Sequence, residues 1–237
     1  MDDQHVGFVE MQKERLPSLE IGVVAVAAGS GMREVFRSLG AAAIVPGGQT
    51  MNPSVQEILQ AVDSVPPQKI ILLPNNKNII LAASQIHSLT SKEIAVIPSR
   101  TMPQGIAALI AFNYEGGMEE NVQAMEEAVA TVKTVEITEA ARSTQLQGLK
   151  IKKGQAIAIV DDEKLVAVGD NTDDILFEAI DKAGIGSAEV VTVYYGADIE
   201  AAQAEQIVQK IRDKHPKKQV EMVSGGQSHY RYIVSLE

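Results

Sequence analysis

Between residues 21 and 112, short unbroken apolar runs alternate with stretches of helical spacing, and this rhythm constrains the fold more than any other feature of the chain. A strand with helices packed on both sides has no solvent face, so it reads as a continuous β-branched run. Ile21–Ala27, Ala41–Val45, Lys69–Leu73 and Glu93–Ile97 are four such runs. The spacing after each predicts helices over Met32–Leu39, Ser54–Val62, Asn78–Leu89 and Pro103–Phe112. Gly40 stops the first. The second begins either with Asn52 before Pro53 or with a Ser54/Glu57 capping box. The fold class is α/β, with a first subdomain built on a parallel sheet, helices on both faces and right-handed crossovers.

The rhythm changes after Phe112. Asn113–Gly117 is a turn cluster, and Met118–Val132 is a long helix with Val122, Met125, Ala128 and Val129 on one face. Lys133–Ser143 alternates as a strand does. Gln155–Val160 and Lys164–Val168 flank Asp161-Asp162-Glu163, a hairpin signal. Helices follow over Thr172–Ala183 and Ile199–His215, and strands over Glu189–Tyr194, Gln219–Val223 and Tyr230–Leu236. This half is a mixed α+β subdomain. The expected organisation is a lead-in or linker over 1–20, a parallel α/β subdomain over 21–115, a connecting helix over 116–132 and a mixed subdomain over 133–237.

Composition narrows the function. The 31 acidic residues against 21 basic ones give the 237-residue chain a formal charge of −10, which speaks against a general nucleic-acid binder. With no cysteine there are no disulfides, thiolate metal sites or cysteine nucleophiles, and the four histidines have no metal-ligand spacing. No apolar run is long enough to span a membrane, and the start lacks a signal-peptide pattern, so a cytoplasmic protein is expected.

Three polar clusters each follow a predicted strand: Pro46 to Ser54, with Gly47, Gly48, Gln49, Thr50 and Asn52; Pro74 to Asn78, with Asn75, Asn76 and Lys77; and Ser99 to Gly105, with Arg100, Thr101 and Gln104. In a parallel sheet the carboxyl ends of the strands share one edge, and ligands bind in the crevice outside it. Glycine N–H groups, helix N-termini, amides and two cations suit a carboxylate, a phosphate or another polar group there. The same residues also serve plain strand-to-helix turns. The stretch Gly225-Gly226-Gln227 with Tyr230 and Tyr232 reads as a partner contact or as a hairpin with strand tyrosines. Gly29-Ser30-Gly31 is an incomplete dinucleotide fingerprint and reads as a tight turn; Walker and nucleophile-elbow motifs are absent from the sequence. No His, Glu or Asp lies within the three clusters, which speaks against an independent enzyme using them.

Val45-Pro-Gly-Gly-Gln-Thr-Met-Asn-Pro-Ser54, Leu72-Leu-Pro-Asn-Asn-Lys-Asn-Ile79, Thr101-Met-Pro-Gln-Gly105 and the ending Gly225 to Ser235 resemble the C-terminal region of the DAK2-domain proteins. These are FakA proteins, the ATP-binding component of bacterial fatty acid kinase. Met1 to His5 resembles the segment after the kinase part, so the resemblance covers nearly the whole chain. Ser228-His229 departs from the Pro-Leu pair expected there. The resemblance implies a DegV-like or dihydroxyacetone-kinase-like fold and a region without catalytic residues, metal or cofactor of its own. ATP and Mg²⁺ belong to the parent's N-terminal domain. The implied partner is FakB, the DegV-family fatty-acid-binding protein, whose acyl carboxylate is phosphorylated to feed phospholipid synthesis. The competing expectation is direct binding of a carboxylate, phosphate or acyl ligand in the crevice. A homodimer is left open.

Overall fold

The computed structural model describes residues 20–48 and 51–237. Gln49, Thr50 and the expected lead-in before Glu20 lie outside the described residues. Two sheets carry the fold. The first contains β1 (Ile21–Ala27), β2 (Ala43–Pro46), β3 (Lys69–Leu73) and β4 (Glu93–Val96), all parallel, in the order β2-β1-β3-β4. Its helices are α1 (Ser30–Ser38), α2 (Val55–Ser64), α3 (Lys77–Ser84) and α4 (Met102–Ile110). Then α5 (Met118–Thr131) leads into β5 (Lys133–Glu139). A small hairpin, β6 (Thr144–Leu146) and β7 (Leu149–Ile151), precedes β8 (Ala156–Val160) and β9 (Lys164–Gly169). After these come α6 (Thr172–Ala183), β10 (Val190–Tyr195), α7 (Ala201–Lys214), β11 (Gln219–Ser224) and β12 (Tyr230–Leu236). The second sheet has the order β11-β10-β12-β5-β8-β9 and is antiparallel except between β10 and β11.

Three apolar clusters show how the layers meet. Val24 and Val26 of β1 face α2 and α3 through Ile58, Val62 and Ile79. Val23 and Ala25 face the other way, into a cluster with Met32 and Phe36 of α1, Leu109 of α4, Met125 of α5, and Tyr194, Tyr230 and Ile233 of the second sheet. Val135, Ile137, Val193 and Tyr232 cover the far face of the second sheet, under Leu176 of α6 and Ile207 of α7. Alternation along a strand sends neighbouring residues to opposite faces. On β5 this puts Val135 and Ile137 on the far face and Thr134 and Glu136 toward the first sheet.

Local differences from the sequence expectation have local causes. Ser54 opens α2 by accepting from the Glu57 N–H, while the Glu57 carboxylate accepts from the Ser54 N–H at 2.7 Å, so the capping box wins over Asn52. The expected helix to Leu89 ends at Ser84 and resumes as one 3₁₀ turn at Ile86–Ser88. Ser84 and Ser88 turn their hydroxyls back to the carbonyls of Leu81 and Gln85, a habit that competes with the α-helical ladder. The Thr144–Ile151 hairpin had no alternating apolar signal; its turn rests on positive φ at Gln147 and Gly148.

Candidate functional site

The carboxyl ends of β1, β2 and β3 open on a cavity of about 260 Å³ closed on its other side by the second sheet. Of the sequence-predicted residues, Gly47, Gly48, Asn75, Asn76, Gln227 and Tyr230 line it. Asn52, Lys77, Asn78, Thr101, Gln104, Gly105, Gly225 and Gly226 do not. The clusters after β2 and β3 meet at this cavity, whereas of the cluster after β4 only Met102 reaches it, and many of the polar groups there are engaged within the chain.

The Gly47 N–H donates to the Ala27 carbonyl at 3.2 Å and the Gly48 N–H to the Met51 carbonyl at 3.1 Å. Neither remains to cradle an anion. Asn75 sits at φ 54 and is held from several sides: its N–H donates to the Ser99 hydroxyl, that hydroxyl donates to its Oδ1 at 2.7 Å, and its Nδ2 donates to the Val26 carbonyl at 2.9 Å. Gly105 makes this possible, since a Cβ there would stand 1.9 Å from Asn75 Oδ1. Asn76 caps α3 by accepting from the Asn78 N–H at 2.8 Å, and Asn78 is exposed. Thr101 caps α4, and its hydroxyl meets that of Thr134 on β5 at 2.8 Å. Gln104 accepts from the Arg100 N–H at 2.8 Å.

The two cations expected in the crevice are turned elsewhere. Lys77 donates to the Asp162 carbonyl and lies 3.4 Å from its carboxylate, and Arg100 pairs with Glu163 at 2.7 Å. Both partners belong to the β8–β9 turn, so these cations fasten the second sheet to the first. Gly225 is also a fastener. Its N–H donates to the Tyr195 carbonyl, and its carbonyl accepts from the Met32 N–H at 2.9 Å, in the first turn of α1. The Gly29-Ser30-Gly31 turn is small for the same reason: a Cβ on Gly31 would stand 1.7 Å from the Ser224 carbonyl oxygen. Tyr230 and Tyr232 are buried, at 8% and 0% exposure, and cannot be surface anchors.

Sequence reasoning missed the acid. Glu136 lines the cavity from β5 and is 5% exposed. Burial raises its pKa to about 8; Asp162 raises it too, while Lys77 and a hydrogen bond with Tyr230 oppose the shift. At neutral pH Glu136 is therefore chiefly a protonated donor. Its Oε2 and the Gln227 Oε1 are buried without a hydrogen-bond partner among the described residues, each a cost of about 1–3 kcal/mol if nothing meets it. Gln227, 1% exposed, uses its Nε2 on the Tyr194 carbonyl at 3.1 Å. Arg33, Ser228 and His229 complete the polar lining. The available signal was the alternation of Lys133–Ser143, which puts Glu136 opposite Val135 and Ile137. It was misleading because both faces of β5 are covered. Among the described residues no group of three or more His, Asp or Glu is placed to hold a metal ion.

A parallel four-stranded sheet joined to a mixed sheet gives this chain a fold similar to those of DegV and dihydroxyacetone kinase proteins. A DegV family protein from Corynebacterium glutamicum superimposes with a TM-score of 0.66 at 13% identity, over 92% of this chain and 97% of that one. The Streptococcus pneumoniae fatty acid kinase B3 protein, loaded with linoleic acid, gives 0.59 at 14% identity, over 92% and 99%. The dihydroxyacetone kinase of C. freundii gives 0.59 at 13%, over 94% of this chain and 48% of that one. The chain belongs to the FakA-like C-terminal family of fatty acid kinase proteins, and the match spans residues 22–237. Uncharacterized proteins of Staphylococcus aureus are 33% identical over 241 residues, covering 100% of this chain and 44% of theirs. The chain thus spans less than half the length of these curated relatives.

Proposed function

We propose that this chain is the non-catalytic region of the ATP-binding component of a fatty acid kinase. In this reading it docks the fatty-acid-binding partner so that a kinase domain elsewhere in the full-length protein can phosphorylate the bound acyl carboxylate. ATP and Mg²⁺ belong to that kinase domain. The observation that carries the proposal is the surface of α5 and its approach. Glu115, Glu119, Glu120, Glu126 and Glu127 are exposed, and no Lys or Arg occurs between Arg100 and Lys133. None of the five is in an ion pair among the described residues. Beside them in sequence, Ile110 and Tyr114 are 65% and 53% exposed. An acidic rim next to apolar side chains suits a basic partner surface, with charge speeding encounter and apolar contact slowing release. The size of the cavity supports a docking role over an acyl carrier's: 260 Å³ lies below the range of about 300–1,000 Å³ usual for drug-sized ligands.

Calorimetry against the lipid-loaded carrier tests the reading. Binding without ATP, weakening as salt rises, is expected. Reversing Glu119, Glu126 and Glu127 together to Lys should weaken it by about tenfold or more, equivalent to about 1.4 kcal/mol, with the unfolding temperature unchanged. No binding at high micromolar concentration would overturn it. The purified chain should show no ATP hydrolysis and no acyl phosphorylation with the carrier.

A further inference from the structure

We infer that the β6–β7 hairpin is a contact for an anionic lipid bilayer, with Leu146 and Leu149 entering the interface and the cations around them meeting lipid phosphates. This concerns a different surface from α5 and does not rest on carrier docking.

In a chain of net charge −10, the segment between Glu139 and Asp161 carries Arg142, Lys150, Lys152 and Lys153 and no acidic residue. All four are exposed, and none is in an ion pair among the described residues. Lys164, exposed and likewise outside those ion pairs, joins them, because the hairpin tip is held beside it. Gln147 Oε1 accepts from the Leu165 N–H at 3.1 Å, and Gln147 Nε2 donates to the Glu163 carbonyl at 3.0 Å. Of the acids nearby, Asp161 and Glu163 are paired with Lys133 and Arg100, and Asp170 accepts from Gln155 at 2.9 Å, which leaves Glu139 against these cations. A screening length of about 8 Å at physiological salt lets this local excess act apart from the net charge.

The apolar part sits at the turn. Leu146 and Leu149 pair across it and remain 46% and 42% exposed. An isolated hairpin is marginally stable, and here its arms are tied down: Ile151 is buried with Ala140 and Leu165, and the Lys153 N–H donates to the Ser143 hydroxyl at 3.0 Å. Leucine beside lysine decides the partner. Protein interfaces take their anchors from Trp, Tyr and Arg and are poor in Lys, and single-stranded nucleic acids stack on aromatic side chains. No aromatic residue occurs between Glu139 and Asp161. A bilayer accepts leucines at its apolar boundary while lysine stems lie along it and their ammonium groups stay with the phosphates. Each basic residue near an anionic leaflet strengthens binding by about fivefold, equivalent to about 1 kcal/mol.

The test is flotation of the whole chain with vesicles of equal parts phosphatidylglycerol and phosphatidylcholine, beside vesicles of phosphatidylcholine alone. Binding to the anionic vesicles is expected, weaker by about tenfold or more on the neutral ones and falling as salt rises. Lys150→Gln, Lys152→Gln and Lys153→Gln together should lose about tenfold or more with the unfolding temperature unchanged. Leu146→Ser with Leu149→Ser should lose about threefold or more, and this loss should persist in high salt, where charge is screened. Neutralising Lys210, Lys214 and Lys217 instead, in α7 and just after it, should change binding by less than about twofold; an equal loss there would mean that total charge alone drives binding and would overturn the assignment of the hairpin. Absence of binding to the anionic vesicles at low salt would overturn it too. Soluble polyglutamate bound as tightly as the vesicles would assign the patch to an acidic protein and overturn the bilayer. The calorimetry with the carrier contains no bilayer, so these results and those on docking stand apart.

Discussion

The loops of the parallel sheet and the inner face of the mixed sheet make opposite use of polar residues. After β2, β3 and β4 the chain is dense in Gly, Asn, Thr and Gln, and much of that polarity is spent on turns, caps and the join to the second sheet. The inner face of the mixed sheet buries Thr134, Glu136, Thr192 and Ser235, and there Glu136, with Gln227 from the loop leading into β12, keeps a buried oxygen without a partner among the described residues. A conspicuous polar loop can thus be scaffold, while a single acid in an ordinary strand carries the chemical potential of the site. The close backbone approach at Gly31 and Ser224 is what lets two such different surfaces face each other.

Breaking that join should give the largest effect. Gly31→Ala places a methyl 1.7 Å from a backbone oxygen that cannot swing aside, and should cost about 3 kcal/mol in urea unfolding. Gly117→Ala, with nothing within 4 Å of the new methyl, should leave stability nearly unchanged and serves as its control. A pH-dependent effect of comparable size should sharpen the contrast at Glu136. Its folded pKa of about 8 lies above the usual 4.5, so the folded chain holds a proton that the unfolded chain releases. Its contribution is full below pH 4.5 and is lost as pH rises through 8. The stability of the wild type relative to Glu136→Gln should therefore fall between those limits, with a slope approaching about 1.4 kcal/mol per pH unit. A difference that stays flat with pH would mean that Glu136 is ionised in the fold. The smallest effect belongs to the exposed pair: Arg100→Gln should cost less than about 1 kcal/mol and still less in high salt.

The first sheet was legible because its central strands, β1 and β3, are buried on both faces and announce themselves as continuous apolar runs; Ile21–Ala27 and Lys69–Leu73 have the bounds the sequence suggests. The meeting of Gly47, Gly48, Asn75 and Asn76 was legible from the topology of parallel sheets. The partners of those residues were not. Nothing local in Lys77 or Arg100 says that each will meet the β8–β9 turn, 85 and 63 residues away. Glu136 was hidden for the same reason, because its burial is created by elements joined to β5 only in three dimensions.

The position of β12 has a consequence for how the protein is made. Although it follows every other strand in sequence, it is not an edge: it lies between β10 and β5, pairing antiparallel with both. Until Tyr230–Leu236 has left the ribosome, β5 and β10 each present an open edge, with nothing between them to close the sheet. At about 5–20 residues per second, the first sheet is available for several seconds before its neighbour can be completed. During that interval the inner cluster lacks Ile233, and the acid on β5 lacks the tyrosine that hydrogen-bonds it. Losing this one seven-residue strand would therefore divide the second sheet through its middle, a far graver lesion than the same loss at a rim.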